Sequence, residues 1–237
     1  MVLRGLKKLS VNRNVLLRAP LYCLVLAVCL FALTYSTGIN PTGQIDAWQT
    51  FWGTLLAETY NFYKIIPILT LTFLLWLKTP HPYYLSTRLI TPSRSLTYYY
   101  RQLLSFMLVV LIAWSLIFGL LTHLLAVNPQ NTPFGVILTG TYLLNLTAFL
   151  SVLLLLSLRF NRVSAAIIIT GLLYLDQWLS MHFNQSILFY HGLITSTLPR
   201  GTNLATVLYD VGWCTALIGV CLFLNFLTLR HSRLINF

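Results

Sequence analysis

The chain has 237 residues, 57% of them hydrophobic and 8% charged, with a mean hydropathy of +0.78. That balance excludes a soluble globular domain, and at about 20 residues per membrane crossing the length is filled by one helical bundle, a single transmembrane domain over 1–237. The formal charge of +11 does not point to nucleic acid, because the basic residues lie in short segments beside apolar runs rather than on a soluble face.

Residues 1–19 mix Leu and Val with Arg4, Lys7, Lys8, Arg13 and Arg18, and Leu3, Leu6 and Leu9 can share one helical face. This pattern predicts an amphipathic N-terminal helix on the inner leaflet; a basic tail that only sets topology is the plainer alternative. The apolar run that follows, 20–38, is long and lacks a small-x-small cleavage site, so it is read as a retained first span. Gly38 to Gly43, with Asn40 and Pro41, closes it.

A second span is expected over 52–77, a long helix partly outside the hydrocarbon. Asp46, Glu58 and Lys64 interrupt the pattern, and Trp48 and Trp52 suit an outer interface. The stretch 78–101, KTPHPYYLSTRLITPSRSLTYYYR, is the one long basic interruption between two hydrophobic halves. Lys78, Arg88, Arg94 and Arg101 recur in it without an acid, and Pro80, Pro82 and Pro92 punctuate it. Tyr83, Tyr84, Tyr98, Tyr99 and Tyr100 cluster toward its two ends, which predicts a structured cytoplasmic element able to dock another protein.

Further spans are expected over 102–127, 134–158 with Asn145 near its middle, 163–182 and 211–229. The outer segment 183–210 is rich in Leu, Ile, Phe and Tyr, too apolar to be simply solvated. Short re-entrant helices broken at Gly192 and Pro199-Arg200-Gly201 account for it, as does a lid packed on the bundle. Thirteen of the fifteen Lys and Arg fall in the N-terminal segment, 78–101, the Arg159–Arg162 turn and the C-terminal tail; the exceptions are Lys64 and Arg200. All four acids, Asp46, Glu58, Asp176 and Asp210, belong to the other half. The fold class expected is therefore all-α and polytopic, with six transmembrane helices and both termini inside.

Chemistry is sparse. The chain has no HExxH, GxSxG, CxxC or GxxxxGK[ST] motif, and no adjacent acids, so no catalytic residue, metal or cofactor is implied. Cys23, Cys29, Cys214 and Cys221 all lie in apolar runs, where the thiol behaves as a small hydrophobe. The five histidines scatter over both faces and read as hydrogen-bonded structure. Lys64 and Asp176 each lie 13 residues from an inner-face boundary, Leu77 and Val163, which is about 20 Å of helix. They can form an ion pair between the second and fifth spans; alternatively Lys64 snorkels outward and Asp176, Gln177 and Trp178 lie at the outer interface. Asn145 suits an interhelical hydrogen bond or a substrate contact.

Taken together, the basic amphipathic N-terminus, the six spans, the cytoplasmic connection between the second and third, and the apolar segment before the sixth resemble the permease subunits of type 2 ATP-binding-cassette (ABC-2) transporters. In that family the first cytoplasmic connection carries a coupling helix. Leu85-Ser86-Thr87-Arg88-Leu89-Ile90-Thr91-Pro92-Ser93-Arg94, followed by Leu96-Thr97-Tyr98-Tyr99-Tyr100-Arg101, is similar to its pattern, with Arg101 where a Lys is more usual and a proline-rich Thr79-Pro80-His81-Pro82 ahead of it. The resemblance implies a coupling surface in which Arg88 and Arg94 face an acidic groove of a separate ATPase, with Ser93 between them and Tyr83 and Tyr84 as aromatic anchors. It implies a second permease chain, identical or different, no enzymatic activity in this chain, and a bacterial plasma-membrane location.

The few polar residues in the spans favour a peptide or lipid-like amphipathic cargo, exported, over a sugar or an ion. Two rival readings need no transport cycle: a substrate-capture membrane subunit, and an accessory or immunity protein that binds a membrane-active peptide.

Overall fold

The computed structural model describes residues 64–78, 91–125, 132–183 and 204–235, and these are helical throughout, with no strand among them. Five helices result: α1 Ile66–Trp76, α2 Pro92–Leu125, α3 Thr132–Arg159, α4 Arg162–Phe183 and α5 Leu204–Ile235. Among the described residues three of them, α2, α3 and α5, are long and apolar enough to cross a membrane. The N-terminal helix expected over 1–19, the first span and most of the outer segment lie outside the described residues.

Local chemistry explains the helix starts. Thr91 caps α2: its Oγ1 accepts from the Arg94 N–H at 3.4 Å and its carbonyl accepts from the Ser95 N–H at 3.2 Å. Pro92 then occupies the first helical position, where a missing N–H costs nothing and a fixed φ assists. The third span therefore begins at Pro92 rather than at 102, so the Tyr98-Tyr99-Tyr100-Arg101 run is helical and continuous with it. Only Phe160 and Asn161 separate α3 from α4. The Asn161 side-chain oxygen accepts from the Ser164 N–H at 2.7 Å, an Asn cap that starts α4 at once and folds it back antiparallel to α3. The last helix also exceeds the expected 211–229, so that 204–210, assigned above to the outer segment, are its first turns.

Packing follows the apolar stripes. In α1, Ile65, Ile66, Leu69, Phe73 and Trp76 are buried while Leu71 and Leu75 are exposed. In α2 the buried series is Leu103, Phe106, Val110, Ala113, Trp114 and Ile117, a spacing of three and four that keeps one face inward. The third helix is the hub. It packs on all four others, most extensively on α5, and buries Tyr142, Asn145, Leu146, Phe149, Leu150, Leu153 and Leu154.

Aromatic contacts join the layers: Phe73 lies 5.3 Å from Phe106 between ring centroids, and Trp114 lies 4.5 Å from Tyr142. Such pairs contribute about 0.5–1.5 kcal/mol beyond their buried area. By contrast α5 buries a narrow stripe, Cys214, Cys221 and Asn225, and exposes Leu208, Tyr209, Val220 and Phe223. Because α3 and α5 meet through residues that advance together along both chains, Asn145 with Cys214 and Ser151 near Asn225, the two helices run parallel.

Candidate functional site at the basic end of the bundle

One end of the bundle gathers the cations. There Leu77 and Lys78 finish α1, Arg94 and Arg101 stand on the first turns of α2, and Arg159 and Arg162 flank the α3–α4 turn.

The end of α1 is tied down by side chains from two other helices. A helix leaves its last carbonyls without intrahelical partners, and in an apolar setting each needs a donor. The Arg162 guanidinium supplies one, donating to the Leu77 carbonyl at 2.7 Å. Gln102 of α2 pairs with the next residue: its Oε1 accepts from the Lys78 N–H at 2.7 Å and its Nε2 donates to the Lys78 carbonyl at 3.3 Å. Trp76 adds a bond from its indole N–H to the Ser105 Oγ at 3.2 Å, and Ser105 in turn donates to the Gln102 carbonyl at 2.8 Å.

The consequence is mechanical. Gln102 follows 79–101 directly and bonds both backbone groups of Lys78, which precedes it. The end of α1 is therefore tied to α2 ten residues beyond Pro92. Through Arg162 it is also joined to the first residue of α4.

Of the coupling residues expected from the sequence, Ser93 and Arg94 sit exposed on the first turn of α2, and Ser93 Oγ lies 3.2 Å from Thr91 Oγ1. Tyr83, Tyr84 and Arg88 lie outside the described residues. Lys64 is exposed just ahead of α1 and Asp176 is 3% exposed on α4. The buried face of α4 reads Ala165, Ile169, Leu173, Asp176 and Gln177, so the carboxyl occupies the place where the inward apolar stripe would continue. Its neighbour Trp178 is 50% exposed and stacks on His182 at 4.5 Å. Helices α1 and α4 are in contact, with Leu77 and Arg162 joined at the basic end. Counting 13 residues back along α1 and 14 forward along α4 brings Lys64 and Asp176 to a similar depth, about 20 Å from that joint.

Two further polar contacts involve α5, one to α3 and one to α2. Asn145 donates to the Thr141 carbonyl at 2.9 Å and accepts from the Cys214 thiol at 2.8 Å. Asn145 is thus an interhelical contact, and Cys214 is more than a small hydrophobe. Nearer the basic end, Asn225 donates to the Tyr100 hydroxyl at 3.2 Å, and that hydroxyl also engages Ser151. The Asn225 Oδ1 is buried without a partner among the described residues.

Gln102, Arg162, Tyr100 and Asn225 carry the geometry of this end, and sequence reasoning passed over all four as polar partners. The available signal was weak: a glutamine at the start of an apolar run, and an asparagine inside one. Among the described residues no three His, Cys, Asp or Glu side chains come together as a metal site would require. Cys214 and Cys221 are free and buried. Compared with protein-family models, with curated proteins and with solved structures, the chain matches none of them.

Proposed function

We propose that this chain is the membrane-spanning permease subunit of an ABC-2 type transporter, with six spans, both termini cytoplasmic, and its place in a bacterial plasma membrane. It exports a hydrophobic or amphipathic substrate, a peptide or a lipid-like molecule, using ATP hydrolysed by a separate ATPase subunit beside a second permease chain. The chain itself is not an enzyme.

The observation that supports this reading best is the clasp that holds the end of α1, directly ahead of the basic segment. A coupling element has to convert the closure of an ATPase into a rigid-body shift of helices, and that demands an attachment to more than one helix. Gln102 and Arg162 attach Lys78 and Leu77, where the segment begins, to α2 and α4. Arg94, exposed on the first turn of α2, would lie at the docking face beside Ser93, with Arg88, Tyr83 and Tyr84 in the segment itself.

The test is co-purification from the chain's own membrane in mild detergent, comparing the wild type with an Arg88→Glu/Arg94→Glu double variant. The expected result is an ATPase that accompanies the wild type and is lost on charge reversal. If neither preparation carries an ATPase, the permease reading falls and a binding or immunity protein without a transport cycle takes its place.

A further inference from the structure

Where the ends of α3 and α5 diverge at the basic end, they leave a cleft of ≈ 640 Å³ with Arg159 and Phe160 on one wall and Thr228 and Arg230 on the other. Leu156 and Leu227 continue the walls along the helices. We propose that this cleft holds an anionic phospholipid, its phosphate between Arg159 and Arg230 and its acyl chains along the leucines. The proposal depends on the membrane setting alone and is independent of any transport cycle.

The two guanidinia are brought level by the helix register. Arg159 lies 14 residues beyond Asn145 and Arg230 lies 16 beyond Cys214, and Asn145 and Cys214 bond to each other. On parallel helices these offsets correspond to about 21 and 24 Å along the axes. Both side chains are exposed, and two cations lining one partly apolar cleft favour an anion between them.

Among the described residues no acid lines the cleft. No acid occurs between Glu58 and Asp176 in the sequence. Asp210 stands 20 residues up α5 from Arg230, about 30 Å away along the helix, and Asp176 is 14 residues up α4 from Arg162, about 21 Å.

Geometry favours a lipid over a free anion. Leu224 and Leu227 are each 39% exposed and Phe160 48%, so the cleft opens onto the apolar exterior of the bundle. Guanidinium forks bind phosphate oxygens in pairs, which suits the phosphate of a headgroup, and Thr228 adds a hydroxyl for the glycerol end. Basic pockets between helices at the inner face of a membrane are a recurrent form of lipid site.

The full chain, purified in mild detergent, would be analysed by native mass spectrometry after exposure to equal amounts of phosphatidylglycerol and phosphatidylcholine with the same acyl chains. At about 1 kcal/mol per basic residue, two arginines correspond to a preference of about 30-fold for the anionic lipid. Arg159→Gln/Arg230→Gln should remove that preference while far-UV circular dichroism and elution volume stay unchanged, and Arg159→Lys/Arg230→Lys should retain part of it. Lys78→Gln/Arg101→Gln, which removes two cations of the same end that do not line the cleft, should leave it intact. Equal retention of both lipids by the wild type overturns the proposal. So does an equal loss in the Lys78/Arg101 variant, which would make the effect one of overall charge. Displacement of the lipid by inorganic phosphate also overturns it, since the site would then recognise the anion without the chains.

Discussion

Gln102 and Arg162 both serve one helix end, and their energies are coupled for that reason. Losing Gln102 leaves the Lys78 N–H and carbonyl without their side-chain partner; losing Arg162 removes a charged donor from the Leu77 carbonyl. A neutral hydrogen bond contributes about 0.5–1.5 kcal/mol and a charged one somewhat more, the latter discounted here because Arg162 is largely exposed. Gln102→Ala and Arg162→Gln should each lower stability in detergent by about 1 kcal/mol. The double variant should depart from the sum, because both side chains hold the same backbone turn. Thermal unfolding followed by intrinsic tryptophan fluorescence checks this, and strict additivity would mean that the two sides of the clasp act separately. Asn225 predicts the opposite sign. Its amide oxygen is buried and unpartnered among the described residues, and the Tyr100 hydroxyl keeps Ser151 when Asn225 is gone. Asn225→Leu should therefore be neutral or stabilising, and a loss above about 2 kcal/mol would show that the oxygen has a partner in the membrane.

At the scale of the element, the sequence was most misleading where it was read as punctuation. Pro92 marks a break in a hydropathy profile, yet with Thr91 ahead of it the same residue starts a helix of 34 residues. The α3–α4 turn was legible in advance from Arg159 and Arg162 between two apolar runs; the Asn161 cap that starts α4 was not. The mid-helix glycines carry a further prediction. A methyl group added at Gly140 in α3 or Gly171 in α4 meets nothing within 4 Å. Gly140→Ala and Gly171→Ala should thus raise stability by about 0.5–1 kcal/mol through backbone entropy, read by the same thermal assay. A drop would instead mean that these faces are covered, by another part of the chain or by a second subunit.

At the scale of the whole molecule, one acid among the described residues, Asp176, is buried inside the bundle. Asp176 sits on the inward stripe of α4, which faces the bundle, rather than on the exposed face that carries Trp178. An ion pair with Lys64 predicts that Lys64→Ala and Asp176→Ala are non-additive in a double-mutant stability cycle. Agreement with the sum to within about 0.5 kcal/mol would exclude it. Part of the molecule's plan could be read directly from residues: the apolar helices able to cross a membrane, the helical runs that became α2 to α5, and the short Arg159–Arg162 turn. Hydropathy and the positive-inside rule act through composition summed along each segment, so a linear reading captures them.

Partners across helices follow a different rule. Gln102 meets Lys78 across 24 residues, Arg162 meets Leu77 across 85, and Tyr100 meets Asn225 across 125. Which polar group meets which depends on the rotation of each helix about its axis and on its depth against its neighbour, and no local segment encodes either. By itself the sequence determined that this is a chain of membrane-crossing helices with one basic side. Only the tertiary structure decided that Gln102 and Arg162 clasp the end of α1 and that Arg159 and Arg230 share a cleft, because both depend on how packed helices are turned toward one another.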